Sequence, residues 1–213
     1  MLKIQKFTFN PFAENSYIVW DDETKESAIF DPGCYDENEK KDIDSFISLN
    51  NLIIKYLINT HCHLDHIFGS CYIKSKYQVI YYAPEEDMPL LKQASQQASM
   101  FGLEIKEICM PDQFIKDGLK LKLGNSGIEF LFTPGHTAGG YCAYSRADKL
   151  CISGDVLFDG SIGRTDLPGG HYDQLLKSIR EKLFILPDDT IVYPGHGEAT
   201  SIGKEKKTNP FFN

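Results

Sequence analysis

Between residues 60 and 66 the chain reads THCHLDH, with His61, His63, Asp65 and His66 crowded into one short stretch. Imidazole nitrogens and carboxylate oxygens are the donors that borderline divalent cations accept. Burying such groups without a partner, a hydrogen bond or a cation is costly. In an extended segment alternate side chains share a face, which puts His61 and His63 on one side and Cys62 on the other. Further candidates stand in similar settings: His136 in TPGHTAGG, Asp155 in SGDVLF and His196 in YPGHGEA, each with a glycine beside it. Glycine lets the backbone turn sharply and come close to a site. Only His171 among the histidines falls outside the set. Seven side chains of these types point to a cation centre able to acidify water and polarise a carbonyl or phosphoryl oxygen.

The surrounding elements put the candidates at strand ends. LKIQKFTF, NSYIVWDD and ESAIFDPG read as strands, aromatic and β-branched, punctuated by NPF, DDETK and DPG. DENEKKDIDSFISLNN spaces Ile43, Phe46, Ile47 and Asn50 as a helix does. LIIKYLINT is an apolar strand, and the histidine cluster begins where it ends, the usual place for a site in a sheet flanked by helices. DHIFGSCYIKSKY reads as one helix and QVIYYA as a strand. PEEDMPLLKQASQQASMFG reads as an irregular helical stretch turned at Pro89, its polar face either solvated or a mobile cover. FIKDG, LKLKLG, IEFLFTPG, YCAYS and LCISGD are strands, KSIREKLFIL is an amphipathic helix, and TIVYPGHG ends the series. His136, Asp155 and His196 each follow one of these strands. The order suits two β layers with helices outside, among other mixed architectures.

With 213 residues, a single domain over 1–213 is expected. The 42% apolar and 24% charged composition supports a buried core. A net charge of −8 argues against a nucleic-acid surface. MLKIQKFTFN lacks the apolar run of a signal peptide, and no window reaches the roughly 18 apolar residues of a membrane span. A cytoplasmic protein with a small-molecule substrate is therefore expected, without nucleic-acid or membrane partners. Cys34, Cys62, Cys71, Cys109, Cys142 and Cys151 contain no C-x-x-C pair. They are expected to be reduced thiols, several of them serving as small hydrophobes.

The series T-H-x-H-x-D-H, G-H-T, G-D and G-H resembles the metallo-β-lactamase superfamily. GRTDLPGG, and GHG followed by SIGKEKKTNPFF, are similar to its glyoxalase II-like (hydroxyacylglutathione hydrolase-like) members. The resemblance implies an α/β (α+β) fold, a four-layer αβ/βα sandwich with the metal site at one edge of its two sheets. It implies two divalent metal ions, zinc first, with iron or manganese as alternatives. His61, His63 and His136 would hold the first, Asp65, His66 and His196 the second, and Asp155 would bridge them. The implied reaction is thioester hydrolysis, hydroxyacyl-thiol to hydroxy acid plus thiol, by a metal-bridging hydroxide that Asp65 orients and deprotonates. Glyoxalase II enzymes continue into a helical C-terminal domain that binds glutathione. Here only residues 197–213 follow His196, so that glutathione clamp is expected to be missing and the thiol carrier stays open.

Arg164, in GSIGRTDLPGG, has two readings. It holds a substrate carboxylate bidentately, as similar arginines in the superfamily bind the thiol-peptide part, or it pairs with Asp166 and stiffens the loop. Tyr141 and Trp20 line the pocket or pack in the core. Asp31 in FDPG fixes a ligand histidine or simply makes a turn. The nearest rival activity is that of persulfide dioxygenases, which share the fold and resemble a facial triad of His61, His136 and Asp155 around one Fe(II). The additional His196 favours a filled second site. A β-lactamase, a nuclease or phosphodiesterase, and a binding protein with a vestigial site fit less well. The first lacks an export signal, the second a basic surface, and the third is at odds with a complete ligand set.

Overall fold

The computed structural model describes residues 1–212. The chain begins with strands β1 (Leu2–Phe9), β2 (Glu14–Asp21) and β3 (Glu26–Phe30), then helix α1 (Glu37–Leu49) and β4 (Ile53–Ile58). Helices α2 (Leu64–Ile67) and α3 (Ser70–Tyr77) lead to β5 (Ile80–Pro84), and α4 (Met88–Lys92) and α5 (Ala94–Met100) to β6 (Gln113–Ile115). The second half has β7 (Lys120–Leu123), β8 (Ser126–Phe132), β9 (Tyr141–Ser145) and β10 (Leu150–Gly154), then a small hairpin of β11 (Leu157–Phe158) and β12 (Ser161–Ile162). Helix α6 (Tyr172–Ser178), a π-helical turn (Ile179–Leu183), β13 (Ile191–Pro194), β14 (Thr200–Ser201) and α7 (Ile202–Thr208) complete it.

Two sheets form, ordered β1-β2-β3-β4-β5-β6 and β14-β13-β10-β9-β8-β7. Strands β3 to β6 run parallel, joined by helical crossovers, and the alternation along each central strand sorts its side chains into layers. Tyr17, Val19 and Phe30 face Phe130, Ala143 and Ile152 between the sheets. Ile18, Ile29 and Leu57, pointing the other way, pack under Ile43 of α1, Ile73 of α3 and Leu91 of α4. On the far side Cys142, Cys151 and Val192 are covered by Leu175 of α6, Ile179 and Ile202. The result is a four-layer αβ/βα sandwich.

Helix α1 starts at a reciprocal cap, with Asp36 accepting from the N–H groups of Asn38 and Glu39 while Glu39 reaches back to the Asp36 N–H. The stretch read as one helix over 65–77 is two helices. Gly69 interrupts it because its N–H is taken by Pro32 O at 2.7 Å. A Cβ there would collide with Cys34 Sγ and lie 2.8 Å from Pro32 O. KSIREKLFIL is also not one α-helix. Helix α6 begins earlier, capped by His171, and passes into the π-helical turn. The β11–β12 hairpin, β14 and α7 carry too little periodicity to be read from sequence.

The reduced state expected of all six cysteines is corrected for two, since Cys71 and Cys109 form a disulfide with Cα atoms 5.2 Å apart. Helix α3 runs beside the segment entering β6, where Lys74 Nζ also donates to Met110 O at 2.9 Å. A separation of 38 residues conceals that proximity in the sequence. Cys34, Cys62, Cys142 and Cys151 are free and buried.

Candidate metal centre

The C-terminal ends of β3, β4, β8, β10 and β13 meet at one edge, where the two sheets are tied together. Tyr141 N donates to Thr60 O at 2.9 Å, Asn15 N to Gly195 O at 2.7 Å, and Tyr17 Oη to Pro194 O at 2.7 Å. Onto this edge the chain brings all seven side chains singled out from the sequence. One donor atom each from His61, His63 and His136 lie within 4.8 Å of one another, as do those of Asp65, His66 and His196. Asp155 stands between the groups. Its Oδ1 is 3.5 Å from His66 Nε2, and its Oδ2 is 3.5 Å from His136 Nε2 and 3.6 Å from His196 Nε2. Gly195 makes this closeness attainable, because a Cβ there would collide with Asp155 Oδ1 and lie 2.7 Å from His66 Cε1.

The outward nitrogens of His61, His136 and His196 find partners that fix their tautomers. Carbonyl oxygens only accept, so His136 Nδ1–H donates to Arg164 O at 2.7 Å and His196 Nδ1–H to Ala13 O at 3.2 Å. Thr60 Oγ1 donates to Asp31 Oδ2 at 2.7 Å, which leaves its lone pair to accept from His61 Nδ1–H at 3.1 Å. His66 Nδ1 faces Asp31 Oδ2 at 3.3 Å and Glu14 Oε1 at 3.8 Å. The inward nitrogens of His61, His136 and His196 are then acceptors. His136 Nε2 lies 2.9 Å from His63 Nδ1, and His63 Nε2 is buried without a partner. His61 Nε2, His66 Nε2 and Asp155 Oδ1 are buried without a hydrogen-bond partner. Buried polar atoms without partners, converging as mixed imidazole and carboxylate donors, suit a divalent cation. The residues fit two such ions.

Charge states follow the same geometry. Burial pushes the His61 imidazolium well down and that of His63 to about 4, so both rings are neutral at pH 7. Burial works against a charged His66 too, but Asp65 and Asp155 outweigh it and raise its pKa well above the ordinary value. The Asp155 carboxyl, despite burial, is held far below the usual range by His66 and the neighbouring rings. Asp65 is likewise lowered against burial, by His66 and His196.

Of the other candidates, Arg164 lies at the mouth of the site with its guanidinium forked onto Asp166, Nε to Oδ1 at 2.8 Å and Nη2 to Oδ2 at 2.7 Å. The loop-stiffening geometry is the one adopted. For Tyr141 the core reading holds, and its substrate-binding reading is corrected. It is buried in the inter-sheet core against Phe132 and does not line the cleft, because its strand position points it between the sheets. Trp20 packs edge-on to Phe46 under α1. Asp31 is the acceptor behind His61 and His66, although its φ of 47° also makes the turn. Two residues were missed. Asp87, just before α4, accepts from Cys62 N at 3.1 Å, Thr137 Oγ1 at 2.8 Å and Gly139 N at 2.8 Å, joining both ligand-bearing loops. Glu14 is fully buried behind His66, and burial pushes its carboxyl pKa up. Nothing in PEEDM or NPFAEN marks either carboxylate as interior.

The profile of the metallo-β-lactamase superfamily matches residues 9–196, which spans every one of the converging side chains. The chain belongs to the metallo-β-lactamase superfamily. Hydroxyacylglutathione hydrolase GloC of Haemophilus influenzae is 40% identical over 214 aligned positions, covering 100% of this chain and 99% of that protein. The crystal structure of the BLEG-1 B3 metallo-β-lactamase superposes with a TM-score of 0.90 at 31% identity, over 99% of this chain and 100% of that one. TTHA1623 in a di-iron-bound form superposes at 0.86 with 33% identity, over 97% and 99%. Superfamily membership together with the full-length identity to a hydrolase marks the protein as a metal-dependent hydrolase, and the fold implies divalent metal at the His/Asp clusters.

Above the centre opens a cleft of about 800 Å³. His63, Asp65, Asp155 and His196 form its floor, and α4–α5, the β1–β2 turn, the β11–β12 hairpin and the 164–168 loop form its walls. The polar stretch read as either a surface helix or a cover thus borders the site. No helix among the described residues is long and apolar enough to cross a membrane.

Proposed function

We propose that the protein is a thioester hydrolase of the glyoxalase II type, working with two divalent metal ions, zinc first and iron or manganese as alternatives. His61, His63 and His136 would hold one ion and Asp65, His66 and His196 the other, with Asp155 shared. Bound there, the metals supply Lewis acidity and a water acidic enough to act as nucleophile at neutral pH.

The chain's own groups do the rest. Asp65, at the cleft floor with Oδ2 3.2 Å from His196 Nε2, orients the attacking water and accepts its proton. His196, steadied through Ala13 O, keeps Asp65 in place. Thr60 with Asp31, and the Arg164 carbonyl, hold His61 and His136 with their bare nitrogens inward. The apolar walls exclude bulk water from the scissile bond and strengthen every charge interaction at the floor. Water delivers a hydroxyl to the acyl carbon, the C–S bond breaks, and the thiol leaves with a proton.

The observation that carries this reading is the second donor cluster, Asp65, His66 and His196, next to a complete first one. A single-iron dioxygenase needs only His61, His136 and Asp155. The identity to a named hydroxyacylglutathione hydrolase supports the same choice. Metal content per chain, measured with lactoylglutathione turnover on one preparation, tests it. Near two metals with thioester turnover is expected. One iron, oxygen uptake on glutathione persulfide and no thioester turnover would make the protein a dioxygenase instead.

A further inference from the structure

The floor of the cleft explains hydrolysis; its walls bear on the substrate. Phe12, Leu90, Met100, Phe101, Phe158 and Ile162 make them largely apolar. Phe12 stacks edge-on to Phe101 at 5.2 Å, closing one side. At the mouth Met100 is 79% and Phe101 61% exposed, large apolar side chains left to water beside a cavity, as expected where an apolar ligand enters. The polar groups of this wall are the amides of Gln93, Gln96 and Gln97, grouped along the α4–α5 arm. An amide both donates and accepts and carries no charge.

Cations are what the walls lack. Among the described residues the cleft is lined by no lysine, and its single arginine, Arg164, has its fork occupied by Asp166. Lys204, near the β11–β12 hairpin, pairs with Asp159 at 2.5 Å. A glutathione thioester brings two carboxylates and one ammonium, a net charge of −1, and its glycine carboxylate, remote from that ammonium, would be desolvated against apolar walls with no free counter-ion.

We infer that the cleft is built for a thiol carrier that is an uncharged, amide-bearing chain, its amides met by the three glutamines and its aliphatic part by the apolar wall. This rests on the thioester-hydrolase reading for the bond that is cut and adds the class of carrier. The reaction is balanced as before, the neutral carrier leaving as a free thiol.

Two measurements on the metal-loaded enzyme test it. Calorimetry compares S-hexyl-N-acetylcysteamine with S-hexylglutathione, thioethers that cannot be hydrolysed. Turnover compares S-lactoyl-N-acetylcysteamine with S-lactoylglutathione, which share one acyl group. The neutral carrier is expected to bind at least tenfold tighter and to give at least tenfold higher kcat/KM. Gln97→Arg, which adds the missing cation, should narrow both ratios several-fold by improving the glutathione compounds, a change that loss of structure cannot mimic. Equal or tighter binding of S-hexylglutathione would overturn the inference and leave the hydrolase reading standing. Turnover of neither ester would sink the hydrolase reading, while the thioether affinities would still decide the carrier.

Discussion

Thr60 shows how much of the centre depends on residues that touch no metal. Its hydroxyl spends its proton on Asp31 and its lone pair on His61, so one oxygen sets the tautomer of a ring whose other nitrogen faces the centre. Thr60→Val keeps the shape and removes that oxygen, leaving a buried carboxylate oxygen and a buried N–H short of a partner. A stability loss of about 1–3 kcal/mol is expected from such unpaired groups. Losing a group that orients a ligand should weaken metal affinity by roughly 10–100-fold. Titration against a competing chelator checks this, and Thr60→Ser should recover most of the loss. Wild-type affinity in Thr60→Val would remove the relay from the account. The convergence of the seven side chains was legible because His, Asp and Gly at strand ends form an uncommon combination. The residues behind them were not. Asp31 sits before a proline and reads equally well as a turn, and Glu14 and Asp87 lie among polar neighbours that mask their burial.

At the scale of elements, the ligands arrive on separate loops that must be held in register. The THCH loop follows β4 and the GHTAGG loop follows β8, on different sheets. Asp87, ahead of α4, bonds to both through Cys62 N, Thr137 Oγ1 and Gly139 N. Asp87→Ala strands three donors at once, which belongs with the larger single-site losses, about 3 kcal/mol. The damage should also be local. Amide exchange at Cys62 and Gly139 is expected to accelerate far more than in the central strands β2 and β10, the signature of sub-global opening. Uniform acceleration would mean that Asp87 supports the fold generally and does not join these loops. Long apolar or amphipathic runs such as LIIKYLINT and DENEKKDIDSFISLNN revealed their strand and helix. The break at Gly69 escaped because its cause, the crowding of Pro32 and Cys34, is tertiary. The Cys71–Cys109 pairing escaped for a related reason, since it needs α3 and the approach to β6 to lie side by side.

For the whole molecule, the layers and the centre are one construction. The two sheets are bonded together at the edge where the histidines converge, and Glu14 of β2 bridges to His196 beyond β13. Sequence periodicity indicates two β layers with outer helices, but strand order and sheet membership depend on long-range pairing that no local pattern encodes. Because the donors come from both sheets, a metal bound by them links the halves in the native state and has no comparable site in the unfolded chain. Metal loading should therefore raise global stability, by about 4 kcal/mol at a free-metal concentration a thousand times Kd. For a chain of this size that corresponds to a rise in Tm of roughly 8–16 °C. The imidazoles bind metal only when deprotonated, and burial keeps His61 and His63 neutral. The competing protons therefore go first to His66 and His196, which, against burial, the neighbouring carboxylates Asp65 and Asp155 raise above the ordinary value, and the gain should shrink as the solution is acidified. Calorimetric scans of metal-loaded and chelator-treated protein at pH 7.5 and pH 5.5 measure both effects. A large difference at the higher pH that collapses at the lower is expected. Equal melting temperatures at pH 7.5 would show that the sandwich holds its ligand-bearing edge together without metal, leaving the centre a purely catalytic attachment to a fold already complete.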